Sequence, residues 1–160
     1  METKKTDTFE LRLIPKTVDV WDDQATPLSF IGVDYYINGV SMLDMIRKIE
    51  QPYCDAEGIP ELACDYELNP QIVMQREFAK IFDPELYKDS EGFELYCCPD
   101  CGLSFCWSVC CKFEENGMYI LMKDFFHNHR EWEYPFEFQF TKDNFFSEIS
   151  KLETYNDHIK

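Results

Sequence analysis

Glu131-Trp132-Glu133-Tyr134-Pro135-Phe136-Glu137-Phe138-Gln139-Phe140 places five aromatic rings on one parity of the chain and Glu131, Glu133, Glu137 and Gln139 on the other. Successive side chains of a strand point to opposite faces, so this run predicts a strand with Trp132, Tyr134, Phe136, Phe138 and Phe140 turned toward a core. Pro135 withholds a ladder donor and predicts an edge or a bulge. Five rings on one face need a cover, and the next segment supplies one. Thr141 is a natural N-cap, and Phe145, Ile149 and Leu152 are spaced four and three apart, which predicts a terminal helix over 141–153.

The same strand character extends back to Gly92. Phe93 to Cys97, Phe105 to Phe113 and Met118 to Phe125 have strand-like content, and Glu114-Glu115-Asn116-Gly117 joins the last two as a hairpin. In the first half, residues 8–14 alternate with Phe9, Leu11 and Leu13 on one side, and Pro15 closes the run. Val33, Tyr35 and Ile37 form a second alternating run that leads into a turn at Asn38-Gly39. Ser41 then caps a helix over 41–50, with Met42, Met45, Ile46 and Ile49 on one face and Pro52 as its stop. Asn69-Pro70 opens a helix over 70–82, which carries Met74, Phe78, Ile81 and Phe82 on one face and ends before Asp83-Pro84. Residues 53–69 lack a period and read as loop, and 83–92 as an acidic connection. The expected fold class is α+β, an antiparallel sheet packed against helices, in a single domain over 1–160.

With 45% hydrophobic and 16% aromatic residues the chain has the means to build a core. No run approaches the roughly 20 apolar residues that cross a bilayer, and the polar stretch from Met1 to Asp7 lacks the apolar centre of a secretory signal, so a soluble cytoplasmic protein is expected. Thirty-one acidic side chains against fifteen basic ones give a net charge of −16. The excess is spread over both halves. It repels a phosphate backbone, which speaks against nucleic-acid binding and leaves either a solvated surface or one complementary to a basic protein.

Eight cysteines occur, at 54, 64, 97, 98, 101, 106, 110 and 111, six of them within fifteen residues. In a reducing compartment such clustering points to metal or catalysis rather than disulfides. Cys98-Pro99-Asp100-Cys101-Gly102 has the C-P-x-C-G form of a zinc knuckle, in which a tight turn aims two thiolates at one ion. The remaining ligands are weighed among Cys106, Cys110, Cys111, His127 and His129. On a strand through 105–111, Cys106 and Cys110 share a face, while Cys111 turns to the core with Trp107 and Val109. His127 and His129 follow the partner strand of the hairpin and can return to the Cys106 end. The expected zinc set is Cys98, Cys101, Cys106 and His129, with Cys97, Cys110, Cys111 and His127 open as alternatives. Reduced cysteines packed as small hydrophobes are the structural competitor. A thioredoxin-like Cys98–Cys101 pair would need a helix after it, and the sequence there reads as strand.

Ile37-Asn38-Gly39 with its helix, Cys101-Gly102 and Cys106-Trp107, Asp124-Phe125 with His129-Arg130, Trp132 and Tyr134, and Phe138, Phe140 and Phe145 together resemble a family of uncharacterised bacterial proteins. That family has C-x-C-G where this chain has C-x-x-C-G, so Cys97 and Cys98 both stand as first ligand. The resemblance implies that Cys101, Cys106 and His129 form a linked group, and it implies no activity.

No Ser, His and Asp arrangement and no Gly-rich phosphate loop is readable among the six glycines. Trp21, Trp107 and Trp132 are expected to pack, Tyr35-Tyr36 to be exposed, and His158 to be solvated. Three functional classes follow. The leading one is a non-catalytic acidic binding protein, such as a cytoplasmic inhibitor or immunity protein for a basic toxin domain, with a structural zinc-type site. The others are a structural zinc-binding module of a larger assembly, and a metal-dependent enzyme using Asp100, Asp124 or Glu131 as base.

Overall fold

The computed structural model describes residues 6–18, 28–81, 83, 92–99 and 107–156. Among these residues eight strands and three helices follow one another as β1 (Phe9–Val18), β2 (Leu28–Ile37), β3 (Val40–Ser41), α1 (Met42–Ala56), β4 (Glu67–Pro70), α2 (Gln71–Lys80), β5 (Phe93–Cys97), β6 (Val109–Asn116), β7 (Tyr119–His127), β8 (Phe138–Thr141) and α3 (Lys142–Asn156), with a 3-10 turn at Pro60–Leu62. The strands form one antiparallel sheet in the order β1-β2-β4-β5-β6-β7-β8, with β3 paired to β2. The α+β class holds, with strands predominating, and the sheet nearly closes into a barrel. The near-closure is visible where Asp7, just before β1, meets β8: its N–H donates to the Gln139 carbonyl at 2.7 Å, and its carboxylate accepts from the Gln139 N–H at 3.0 Å.

Turn chemistry sets the hairpins. Asn38 and Gly39 both have positive φ, at 54° and 78°, between the paired residues Ile37 and Val40, as a type I′ turn demands. Asn116 pairs with Tyr119, so the β6–β7 turn is Gly117-Met118, one residue later than the Asn-Gly signal implies. Gly117 takes φ of 61° as the first central residue, the place of glycine in a type II′ turn. Two bulges adjust the ladder. Asp124 and Phe125 of β7 face Cys111 alone, with Asp124 at φ 55°, and Leu95 is the extra residue of β5, so that Leu95 and Tyr96 are both buried.

Proline reads differently in three dimensions. Pro15 does not end β1, because β1 is an outer strand and a proline there withholds a donor the ladder does not use. Pro52 does not stop α1, which runs on to Ala56. The roughly 3 kcal/mol that an internal proline costs is offset by the turns it allows. Those turns bury Cys54 and close in a Schellman motif, with Gly58 N–H on the Asp55 carbonyl at 3.2 Å and Ile59 N–H on the Cys54 carbonyl at 2.8 Å. Residues 53–69 are therefore not one loop; they hold the end of α1, the 3-10 turn and the start of β4. Asn69 is not the cap of α2. It lies in β4 and its amide reaches the carbonyls of Glu94 and Leu95 at the β5 bulge, both at 3.4 Å, while α2 spans 71–80 rather than 70–82. Thr141 does cap α3, accepting the Asn144 N–H at 3.1 Å, and α3 runs to 156 rather than 153.

The decisive aromatic run pairs with β7 only from Phe138 onward; residues 131–137 form no ladder, and Phe136 N–H donates to the Tyr134 carbonyl at 2.8 Å across Pro135. Its rings also divide between two helices. Phe140 stacks on Phe145 of α3 at 6.3 Å, whereas Trp132 and Tyr134 pack on α1. On the helix-covered side Phe9, Phe93 and Phe113 lie around Phe78 of α2 and Phe145 of α3, with centroid distances from 4.6 to 6.1 Å. Tyr35 is fully buried rather than exposed, edge-on to Tyr96 at 5.5 Å, and Tyr36 is half-buried.

Candidate functional site

The register Tyr96↔Val109↔His127 aligns the end of β5, the start of β6 and the end of β7 at one end of the sheet. Cys98 follows β5 there and is buried. His129 lies in the turn after β7, exposed, and its backbone N–H donates to His127 Nδ1 at 3.0 Å. Cys101 and Cys106 fall outside the described residues. Of the alternatives, Cys97 turns its thiol to the carbonyls of Glu67 and Leu68 in β4, and burial pushes it up to about 12. Cys97 is thus engaged with β4. Cys111 sits in the core with Val109 and Phe113, as its parity predicts, and Cys110 is buried on the same strand. Among the described residues no three His, Cys, Asp or Glu side chains converge as a cation site.

His127 is buried, and burial together with the nearby His129 and Arg130 pulls its imidazole down to about 3. A neutral imidazole that accepts at Nδ1 carries its proton on Nε2. His127 is therefore a donor at Nε2 and no metal ligand while that bond stands. Around it Trp107 lies at 4.2 Å and Trp132 at 5.1 Å, both edge-on, with Tyr66 at 6.2 Å. Arg130 lies over the two indoles at 5.1 and 6.0 Å and reaches Glu57 at 3.5 Å, while Trp132 Nε1–H donates to Glu57 at 2.7 Å. Trp107 Nε1 and His127 Nε2 are buried without an acceptor among the described residues.

A second polar centre went unread in the sequence. Glu50 is fully buried on α1, accepting the Cys64 N–H at 2.8 Å, the Tyr134 hydroxyl at 2.6 Å and the Tyr66 hydroxyl. Burial raises its carboxyl above the ordinary value, against the pull of those donors. Asp34, also buried and also raised by burial, accepts Tyr96 Oη–H and the Tyr35 N–H, both at 2.8 Å. The available signal was the four-residue step Met42, Ile46, Glu50, Cys54, which puts Glu50 in line with the buried face of α1. Of the catalytic-base candidates, Asp124 and Glu131 are exposed, and Asp100 lies outside the described residues. A concavity of about 430 Å³ between the Gly117-Met118 turn and the start of α3 is lined by Lys142 and Asp143, and that lysine is already paired with Glu115 at 3.0 Å.

Among the described residues, no helix is long and apolar enough to cross a membrane. Comparisons of the chain with protein-family profiles, with curated proteins and with solved structures return no match.

Proposed function

We propose that the chain is a non-catalytic acidic binding protein that holds a basic protein partner, in the manner of a cytoplasmic inhibitor or immunity protein, and that Cys98, Cys101, Cys106 and His129 hold a structural zinc ion. The observation that carries the reading is the exposed carboxylate row of Glu131, Glu133 and Glu137. Trp132 and Tyr134 are buried between them, so the row stands on backbone fixed by the core rather than on a free loop. A fixed acidic row of this kind steers a cationic partner and sets its orientation.

The buried carboxylates favour binding over chemistry, since Glu50 and Asp34 are taken up by hydrogen bonds that join distant strands and helices. Zinc held by three thiolates and an imidazole is a closed site, and its contribution is to folding. The test is capture of basic proteins from the source cell at low and high salt by the wild-type chain and by a Glu131→Lys, Glu133→Lys, Glu137→Lys variant. A partner retained at low salt, released as salt rises and lost by the variant is the expected result. A partner bound equally by both chains, or none at all, overturns the reading.

A further inference from the structure

The outer edge of β1 can be followed donor by donor. Asp7 N–H goes to the Gln139 carbonyl at 2.7 Å, Phe9 N–H to Asn144 at 2.8 Å and Leu11 N–H to Glu148 at 2.9 Å. Odd-numbered residues therefore turn their backbone groups away from β2, and the bond from Asn38 N–H to the Thr8 carbonyl shows the even ones turned toward it. The next outward positions are Leu13, Pro15 and Thr17. Among the described residues no hydrogen bond from β8 or α3 reaches the backbone of these three. Leu13 and Thr17 carry an N–H, and Pro15, between them, carries none.

This stretch has the other properties of an edge that templates a further strand. β1 pairs with β2 without a bulge from Phe9↔Ile37 to Val18↔Leu28, so its outer side is long and regular. The occupant such an edge fits is a second copy of itself, because two identical edges meet about a two-fold axis. Laid antiparallel, Leu13 of one copy opposes Thr17 of the other and Pro15 opposes Pro15. Both donors of the central bonded pair are then missing, and two pyrrolidine rings stand in their place. Any register of three outward residues that leaves the positions held by α3 alone includes residue 15. We propose that Pro15 is the residue that keeps β1 from pairing with the β1 of a second copy of this chain, completing a closure in which β8 holds position 7 and α3 holds positions 9 and 11.

The test uses the full chain. Pro15→Val restores the missing donor, and Pro15→Ala restores it with a poorer strand former, which keeps the test open should the valine variant precipitate. Thr17→Val raises strand propensity two positions away and adds no donor. Sedimentation reads the mass and amide exchange reads the edge. In wild type the Phe9 and Leu11 amides are expected to be protected and those of Leu13 and Thr17 to exchange freely. Both proline variants are expected to reach twice the wild-type mass as concentration rises, with the amides of residues 13, 15 and 17 becoming protected together. Thr17→Val is expected to keep the wild-type mass. Proline variants that also keep that mass, with the amides at 13 and 17 still exchanging, overturn the assignment. Protection of those two amides in wild type, or association of Thr17→Val to the same degree, overturns it as well.

Discussion

Asn144 of α3 bonds both backbone groups of Phe9 in β1: its Oδ1 accepts the Phe9 N–H at 2.8 Å and its Nδ2 donates to the Phe9 carbonyl at 3.0 Å. Two residues along the strand, Glu148 accepts the Leu11 N–H at 2.9 Å and Lys151 reaches the Leu11 carbonyl at 3.4 Å. Positions 144, 148 and 151 lie on one side of the helix, so three side chains take the place of a neighbouring strand along an otherwise open edge. Asn144→Ala leaves two backbone groups without partners, and at about 0.5–1.5 kcal/mol per bond the loss is expected near 1–3 kcal/mol. Chemical denaturation checks the total, and amide exchange should show the Phe9 and Leu11 protons losing protection first.

Phe140 and Phe138 share a parity but not an environment. Phe140 is fully buried between Phe9 and Phe145, while Phe138 is half-buried. Phe140→Ala is expected to cost about 3–5 kcal/mol, the range for truncating a buried aromatic, and Phe138→Ala clearly less. Equal losses in thermal denaturation would return the run to a uniformly core-facing strand.

Glu50 inverts the usual pH behaviour of a carboxylate. Burial raises its value in the folded protein, so its contribution to stability is fully present below the unfolded value and is lost as pH climbs through the folded one. Glu50→Gln carries no such dependence. The stability deficit of this variant relative to wild type is expected to narrow as pH rises above the ordinary carboxylate value of about 4, read from urea midpoints.

The cysteines should separate by chemistry. Burial holds Cys64 and Cys97 near 12 and Cys54 near 11, so few of these thiols ionise at neutral pH. They are expected to resist alkylation in the folded chain and to react once it unfolds. Zinc-site thiols should instead become reactive when a chelator is added, with a fall in melting temperature, and Cys101→Ser should abolish both changes. Peptide mass mapping after alkylation reads every site at once.

The fold was legible in the sequence where a local rule had no competitor. Alternation of Phe9, Leu11, Val33, Tyr35 and Ile37, the Asn38-Gly39 turn and the Thr141 cap all appear as read. Reading failed where tertiary partners outweighed local preference. Pro52 is carried because the turn beyond it buries Cys54, and Asn69 serves the bulge of β5 rather than a helix end. Cys101 and Cys106 fall outside the described residues, but the knuckle spacing was legible because it is contiguous in the chain. The Glu50 centre was not, since Glu50, Cys64, Tyr66 and Tyr134 meet only when α1, the segment before β4 and the segment before β8 come together. Polarity on a helix face ordinarily reads as solvent, and only the hydroxyls from elsewhere make it interior.

The α3 side chains along β1 also order events in time. Phe9 and Leu11 are translated some 135–140 residues ahead of the groups that complete their hydrogen bonds. At about 5–20 residues per second, the first strand waits on the order of ten seconds for its last partners. Throughout that interval its outer edge is unsealed on the ribosome, and the nascent chain depends on chaperones or on the speed of elongation to keep it from pairing with another copy.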